Sequence, residues 1–119
     1  MRTVLVVEDD PNAAELMELA LLQTPDVAVQ LVNNAADARN ALSCPWSHFD
    51  AVITDIHLPG EDGLSLTEGI RNVPVIVVTS SPDPALRERA AAAGARAFLE
   101  KPWSASHLRD TVNSVLDAV

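Results

Sequence analysis

Five short apolar runs recur along the chain, and each is followed by a stretch with helical spacing. That alternation constrains the fold more than any other feature. The first run, Thr3-Val4-Leu5-Val6-Val7, is apolar almost throughout, as a strand covered on both faces must be. A helix follows, with Ala13, Leu16, Met17, Ala20 and Leu21 read as its core face. Pro25-Asp26 breaks it before a second strand at Val27 to Val32. Asn34 is placed to cap a helix from Ala35 to about Leu42. The third strand runs from about Asp50 to Thr54, and turn residues between Leu58 and Gly63 lead to a short helix over about Leu64 to Arg71. Val75 to Val78 is a β-branched, central strand. Asp83-Pro84 reads as N-cap and first residue of the fourth helix, with Gly94 as its C-terminal cap. Phe98 lies in the fifth strand, and Ser104 caps a last helix whose apolar stripe is Leu108, Val112, Val115, Leu116 and Val119. Strands alternating with helices imply an α/β fold, with helices on both faces of a parallel sheet and right-handed crossovers.

A chain of 119 residues suits one domain over residues 1–119, and 48% hydrophobic residues argue for a packed core. The net charge of −9 argues against a nucleic-acid surface, which needs clustered Lys and Arg. Cys44 is the one cysteine, with no Cys or His at metal-ligand spacing, and reads as a buried or half-buried spectator thiol. Trp46 is expected to cover a loop. No stretch approaches the length of a membrane span and no signal peptide is visible, so a cytoplasmic location is expected.

Charged residues fall at the ends of the apolar runs. Glu8 and Asp9 end the first, Asp55 the third, and Lys101 follows the fifth. Ligands of open parallel sheets bind outside the carboxyl ends of the strands, where the strand order reverses. In the flavodoxin-like order 2-1-3-4-5, that point lies between strands one and three. Two unit charges 4 Å apart repel by about 4 kcal/mol at an effective dielectric of 20. Carboxylates gathered there therefore need a raised pKa or a cation. Mg²⁺ suits the oxygen donors, with Mn²⁺ as a substitute. A solvated acidic loop is the plainer reading of Glu8-Asp9-Asp10, but the triplet ends a buried strand beside the strand that ends in Asp55. Lys101 has the reach to hold an aspartate or a phosphoryl oxygen. Thr79 ends the fourth strand, where a hydroxyl either binds such an oxygen or caps a turn.

Four segments in order, Val6 to Pro11, Thr54 to Gly60, Val77 to Ser80 and Phe98 to Pro102, resemble the receiver domain of two-component response regulators. The resemblance covers essentially the whole chain. It implies the five-stranded, flavodoxin-like, three-layer fold with order 2-1-3-4-5. It implies Asp55 as phosphoryl acceptor and, for Mg²⁺, Asp9 as direct ligand, Glu8 acting through water or assisting, Asp55 itself and the backbone carbonyl of His57. Thr79 and Lys101 would hold the phosphoryl oxygens, and Phe98 stands in the place of the aromatic residue that changes rotamer. His57, Ser80 and Pro102 stand where they would modulate the site. The implied donor is a histidine kinase or histidine phosphotransfer protein. The implied output is the face built from the fourth helix, fifth strand and fifth helix, read by a downstream protein, an attached output domain or a second copy. No turnover enzyme is implied, only self-catalysed phosphoryl transfer and slow autodephosphorylation.

His57 stands where the family often has Asn, Asp or Met, and Phe98 lacks a hydroxyl, so it can turn but cannot donate a hydrogen bond when exposed. Three rivals are weaker. A haloacid-dehalogenase-type phosphatase wants an acid two residues after its nucleophile, where His57 stands. A flavodoxin-like cofactor binder wants a phosphate loop where Asp10-Pro11 stands. A non-phosphorylated docking module would not need Asp9, Asp55, Thr79 and Lys101 together.

Overall fold

The computed structural model describes residues 1–81 and 83–117. Strands β1 (Arg2–Val7), β2 (Val27–Val32), β3 (Ala51–Asp55), β4 (Val75–Thr79) and β5 (Ala97–Glu100) alternate with helices α1 (Pro11–Leu22), α2 (Ala35–Ser43), α3 (Gly63–Glu68), α4 (Ala85–Ala92) and α5 (Ala105–Asp117). All four strand pairings are parallel, in the order β2-β1-β3-β4-β5. Side chains alternate between the two faces of each strand. Val4, Val6, Ile53, Ile76, Val78 and Leu99 therefore pack with Met17 and Leu21 of α1 and Leu108 and Val112 of α5. Leu5, Val7, Val52, Val75 and Val77 pack on the other side with α2, α3 and α4 through Ala38, Leu66, Leu86 and Ala90. The result is the three-layer α/β sandwich expected from the alternation.

Local chemistry sets most helix ends. Asn34 accepts the Asp37 N–H at 2.7 Å, and Ser104 Oγ accepts the His107 N–H at 3.0 Å. Gly94 ends α4 at φ +102°, a left-handed conformation that glycine adopts without penalty. Asp83 accepts the Ala85 N–H at 2.9 Å, as a cap should, although Pro84 precedes the helix rather than opening it. Helix α3 ends at Glu68, short of the expected Arg71, because the Gly69 N–H turns back to the Leu66 and Thr67 carbonyls.

Two expectations are corrected. Helix α1 buries Ala14, Met17, Ala20 and Leu21, while Leu16 is 60% exposed. Its sequence is apolar on nearly every side, so periodicity did not select a unique face. Trp46 is 89% exposed and covers nothing. Val119, assigned to the last apolar stripe, lies outside the described residues. The Lys101-Pro102 peptide is cis. Among the described residues, no helix is long and apolar enough to cross a membrane.

Candidate functional site

The register of the sheet assembles the site. Val7, the last residue of β1, pairs with Thr54, so Glu8 and Asp55 leave adjacent strands side by side. Asp55 in turn pairs with Val78, and Thr79 with Glu100, which puts Thr79 and Lys101 at the same edge. The Lys101 N–H donates to the Thr79 carbonyl at 2.8 Å, fixing the chain as it leaves β5. Pulling these groups into one corner is a consequence of strand order, since they span most of the chain.

Lys101 Nζ donates to Asp55 Oδ2 at 2.9 Å and lies 3.7 Å from Glu8 Oε2. Asp55 Oδ1 accepts the His57 N–H at 2.9 Å. Both carboxylates are buried, Glu8 to 3% and Asp55 to 6% exposure. Burial raises the Glu8 carboxyl, and the neighbouring Asp55 raises it further, to about 7. Burial also pushes Asp55 up, but hydrogen bonds from Glu8, Lys101 and the His57 N–H override it and hold Asp55 below the usual carboxylate range. The shared proton belongs on Glu8, which is the more buried and lacks the short contact to Lys101. Burial lowers the Lys101 ammonium, but the two carboxylates outweigh it and keep it charged. Glu8 Oε2 is buried and accepts no hydrogen bond, which leaves it able to carry the proton shared with Asp55.

The other predicted residues sit around this core. Asp9 is exposed at the rim, and among the described residues no three His, Cys, Asp or Glu side chains converge as a metal-holding group. Thr79 is fully buried, and its hydroxyl accepts the Ser81 N–H at 3.1 Å. Ser80, Pro102 and the His57 side chain are exposed. Phe98 is half-buried against the face of the sheet covered by α2, α3 and α4. Trp103 packs on the opposite cluster ahead of α5, with Nε1 buried and unpartnered.

One residue escaped sequence reading. Gly63 donates its N–H to the Ile56 carbonyl at 2.7 Å, and a Cβ there would lie 1.9 Å from the Asp55 carbonyl oxygen. Its turn signal was visible, but not its role in closing the loop beneath Asp55.

A family model described as the response regulator receiver domain matches residues 4–113. The chain belongs to this family. As a receiver domain it is a phospho-accepting module of two-component signalling, and the phosphatase and docking-module readings are not favoured. The receiver is 34% identical over 116 residues to the sensory/regulatory protein RpfC of Xanthomonas campestris pv. campestris, covering 91% of this chain but 16% of that protein. The receiver therefore spans about a sixth of this relative. A response regulator receiver protein from Burkholderia phymatum superposes with a TM-score of 0.88 at 32% identity, covering 98% of this chain and 96% of that one. The BeF3-activated DrrB receiver domain superposes at 0.87 with 25% identity, covering 98% of each chain.

Proposed function

We propose that Asp55 is the phosphoryl acceptor of this receiver. The observation that carries the reading is its buried carboxylate, kept ionised by Lys101 at 2.9 Å and by the His57 N–H. With Oδ1 engaged by that N–H, Oδ2 is the oxygen that attacks. Its bond to phosphorus forms as the phosphorus–nitrogen bond of a phosphohistidine breaks, and the electron pair leaves with the imidazole. Lys101 moves from Oδ2 to a phosphoryl oxygen, so its charge stays next to the developing negative charge. The Thr79 hydroxyl, whose oxygen accepts the Ser81 N–H, donates its own proton to a second phosphoryl oxygen. His57, Ser80 and Pro102 line the rim and set how easily water reaches the phosphoryl group. This chemistry modifies Asp55 itself, with slow autodephosphorylation rather than turnover of a free substrate.

A divalent cation fits the donors present. Two carboxylates share one ammonium, and Glu8 Oε2 is buried and accepts no hydrogen bond. Glu8, Asp55 and the His57 carbonyl would hold Mg²⁺ or Mn²⁺, with Asp9 joining from the rim. The bound cation supplies charge neutralisation for the transferring phosphoryl group. The donor is a histidine kinase or histidine phosphotransfer protein. Helix α1 begins two residues after Asp9 and leaves Leu16, Leu19 and Leu22 exposed in one row, which offers that donor an apolar contact on the helix that leaves the site. The α4-β5-α5 face is the output surface, read by a downstream protein, an attached domain or a second copy.

The test is incubation with acetyl phosphate and Mg²⁺ followed by intact mass. The wild type is expected to gain one phosphoryl group, and Asp55→Asn none. Undiminished gain in Asp55→Asn refutes the assignment.

A further inference from the structure

Helix α4 carries a contact that the phosphoryl chemistry does not use. The Arg87 guanidinium lies over the Phe98 ring, its Cζ 4.7 Å from the ring centroid. The same side chain reaches Glu100, with Nη2 3.5 Å from Oε1. Phe98 and Glu100 are two apart on β5 and so present to the same face, where Arg87 spans both. Glu100 pairs in register with Thr79 and immediately precedes Lys101. One arginine thus ties α4 to the end of β5, which leads into Lys101 and lies beside Thr79 of β4, and to the Phe98 ring. An open cleft of about 200 Å³ adjoins the ring, lined by Arg87, Phe98 and small side chains that include Ala90, Ala91 and Ala97. The outer side of the ring is therefore open to this cleft, and Arg87 covers its face.

We propose that Arg87 is a latch that holds the unphosphorylated arrangement of α4 and β5 and so sets the threshold for switching. The proposal rests on the reading of Asp55 as acceptor. When Thr79 is drawn to the phosphoryl group, the end of β5 and the Phe98 ring adjust, and both contacts of Arg87 must break. An arginine suits this role, because a planar guanidinium stacks on a ring and pairs with a carboxylate at once. Both contacts are partly exposed, so each is weak. A latch must be weak to be released by one added phosphoryl group.

Beryllium fluoride titrated with Mg²⁺ present, its bound fraction read by fluorine NMR, tests this without a partner protein. Arg87→Ala is expected to bind about threefold to tenfold more tightly than wild type, since the resting state loses its latch. Glu100→Gln is expected to shift the same way by less. Arg89→Ala, on the same helix but outside the latch, is expected to match wild type. Wild-type binding with Arg87→Ala equal or weaker overturns the latch alone. A wild type that binds no beryllium fluoride overturns the Asp55 reading and the latch with it.

Discussion

Gly63 shows how one residue without a side chain sets the backbone beneath Asp55. The space where its Cβ would sit is filled by the Asp55 carbonyl, and backbone on both sides leaves no flexible side chain to yield. Gly63→Ala is expected to destabilise the fold by about 2–4 kcal/mol, read from denaturant midpoints. It is also expected to slow phosphorylation by acetyl phosphate about 100-fold, because the loop that orients Asp55 shifts by a fraction of an ångström or more. Wild-type phosphorylation kinetics in a folded Gly63→Ala protein would separate Asp55 from this glycine. The residues carrying charge were legible in the sequence, since Glu8, Asp55 and Lys101 each follow an apolar run. Gly63 was not, because a turn signal says that the chain bends and not what it bends against.

At the scale of the element, α1 joins a buried face to an exposed one of similar composition. Ala14, Met17, Ala20 and Leu21 are buried, while Leu16, Leu19 and Leu22 face solvent. Leu19→Glu is expected to leave stability within about 0.5 kcal/mol, because Leu19 is 53% exposed and lies outside the buried face of α1. Transfer from a phosphohistidine donor is expected to slow about tenfold, while the rate with acetyl phosphate stays at wild type. Parallel loss with both donors would place the defect in the acceptor site instead. Strand identities and helix caps were readable from local pattern. Asn34, Ser104 and Gly94 cap through their own side chains or backbone freedom, with no distant partner needed. The face of α1 was not readable, because the choice between Ala14 and Leu16 belongs to the sheet it packs on.

The whole molecule feels the site through its two facing carboxylates. Glu8 has a folded pKa of about 7 against an ordinary 4.5, so between these values the folded state binds more protons than the unfolded one. Stability of the metal-free protein should therefore fall as pH rises from about 4.5 to about 7. Asp55 acts oppositely: its lowered pKa contributes stability that is present above its ordinary 3.8 and lost as pH falls through its depressed folded value. The two windows do not overlap, so the metal-free protein is expected to be most stable near the acidic end of the first. Denaturant melts across this range check the slope, and Glu8→Gln should flatten it and raise stability at neutral pH. A Glu8→Gln protein with the same slope as wild type would move the cause elsewhere. By itself the sequence determined the alternation of strands and helices, the caps, and which charged residues end which strands, because periodicity and capping act over a few residues. Only the tertiary structure decided that Lys101 bonds Asp55, that Glu8 is the carboxylate without the short lysine contact, that Gly63 lies beneath Asp55, and that Arg87 covers Phe98. Those contacts join residues brought together by strand order, and contacts made across a sheet leave no mark in local spacing.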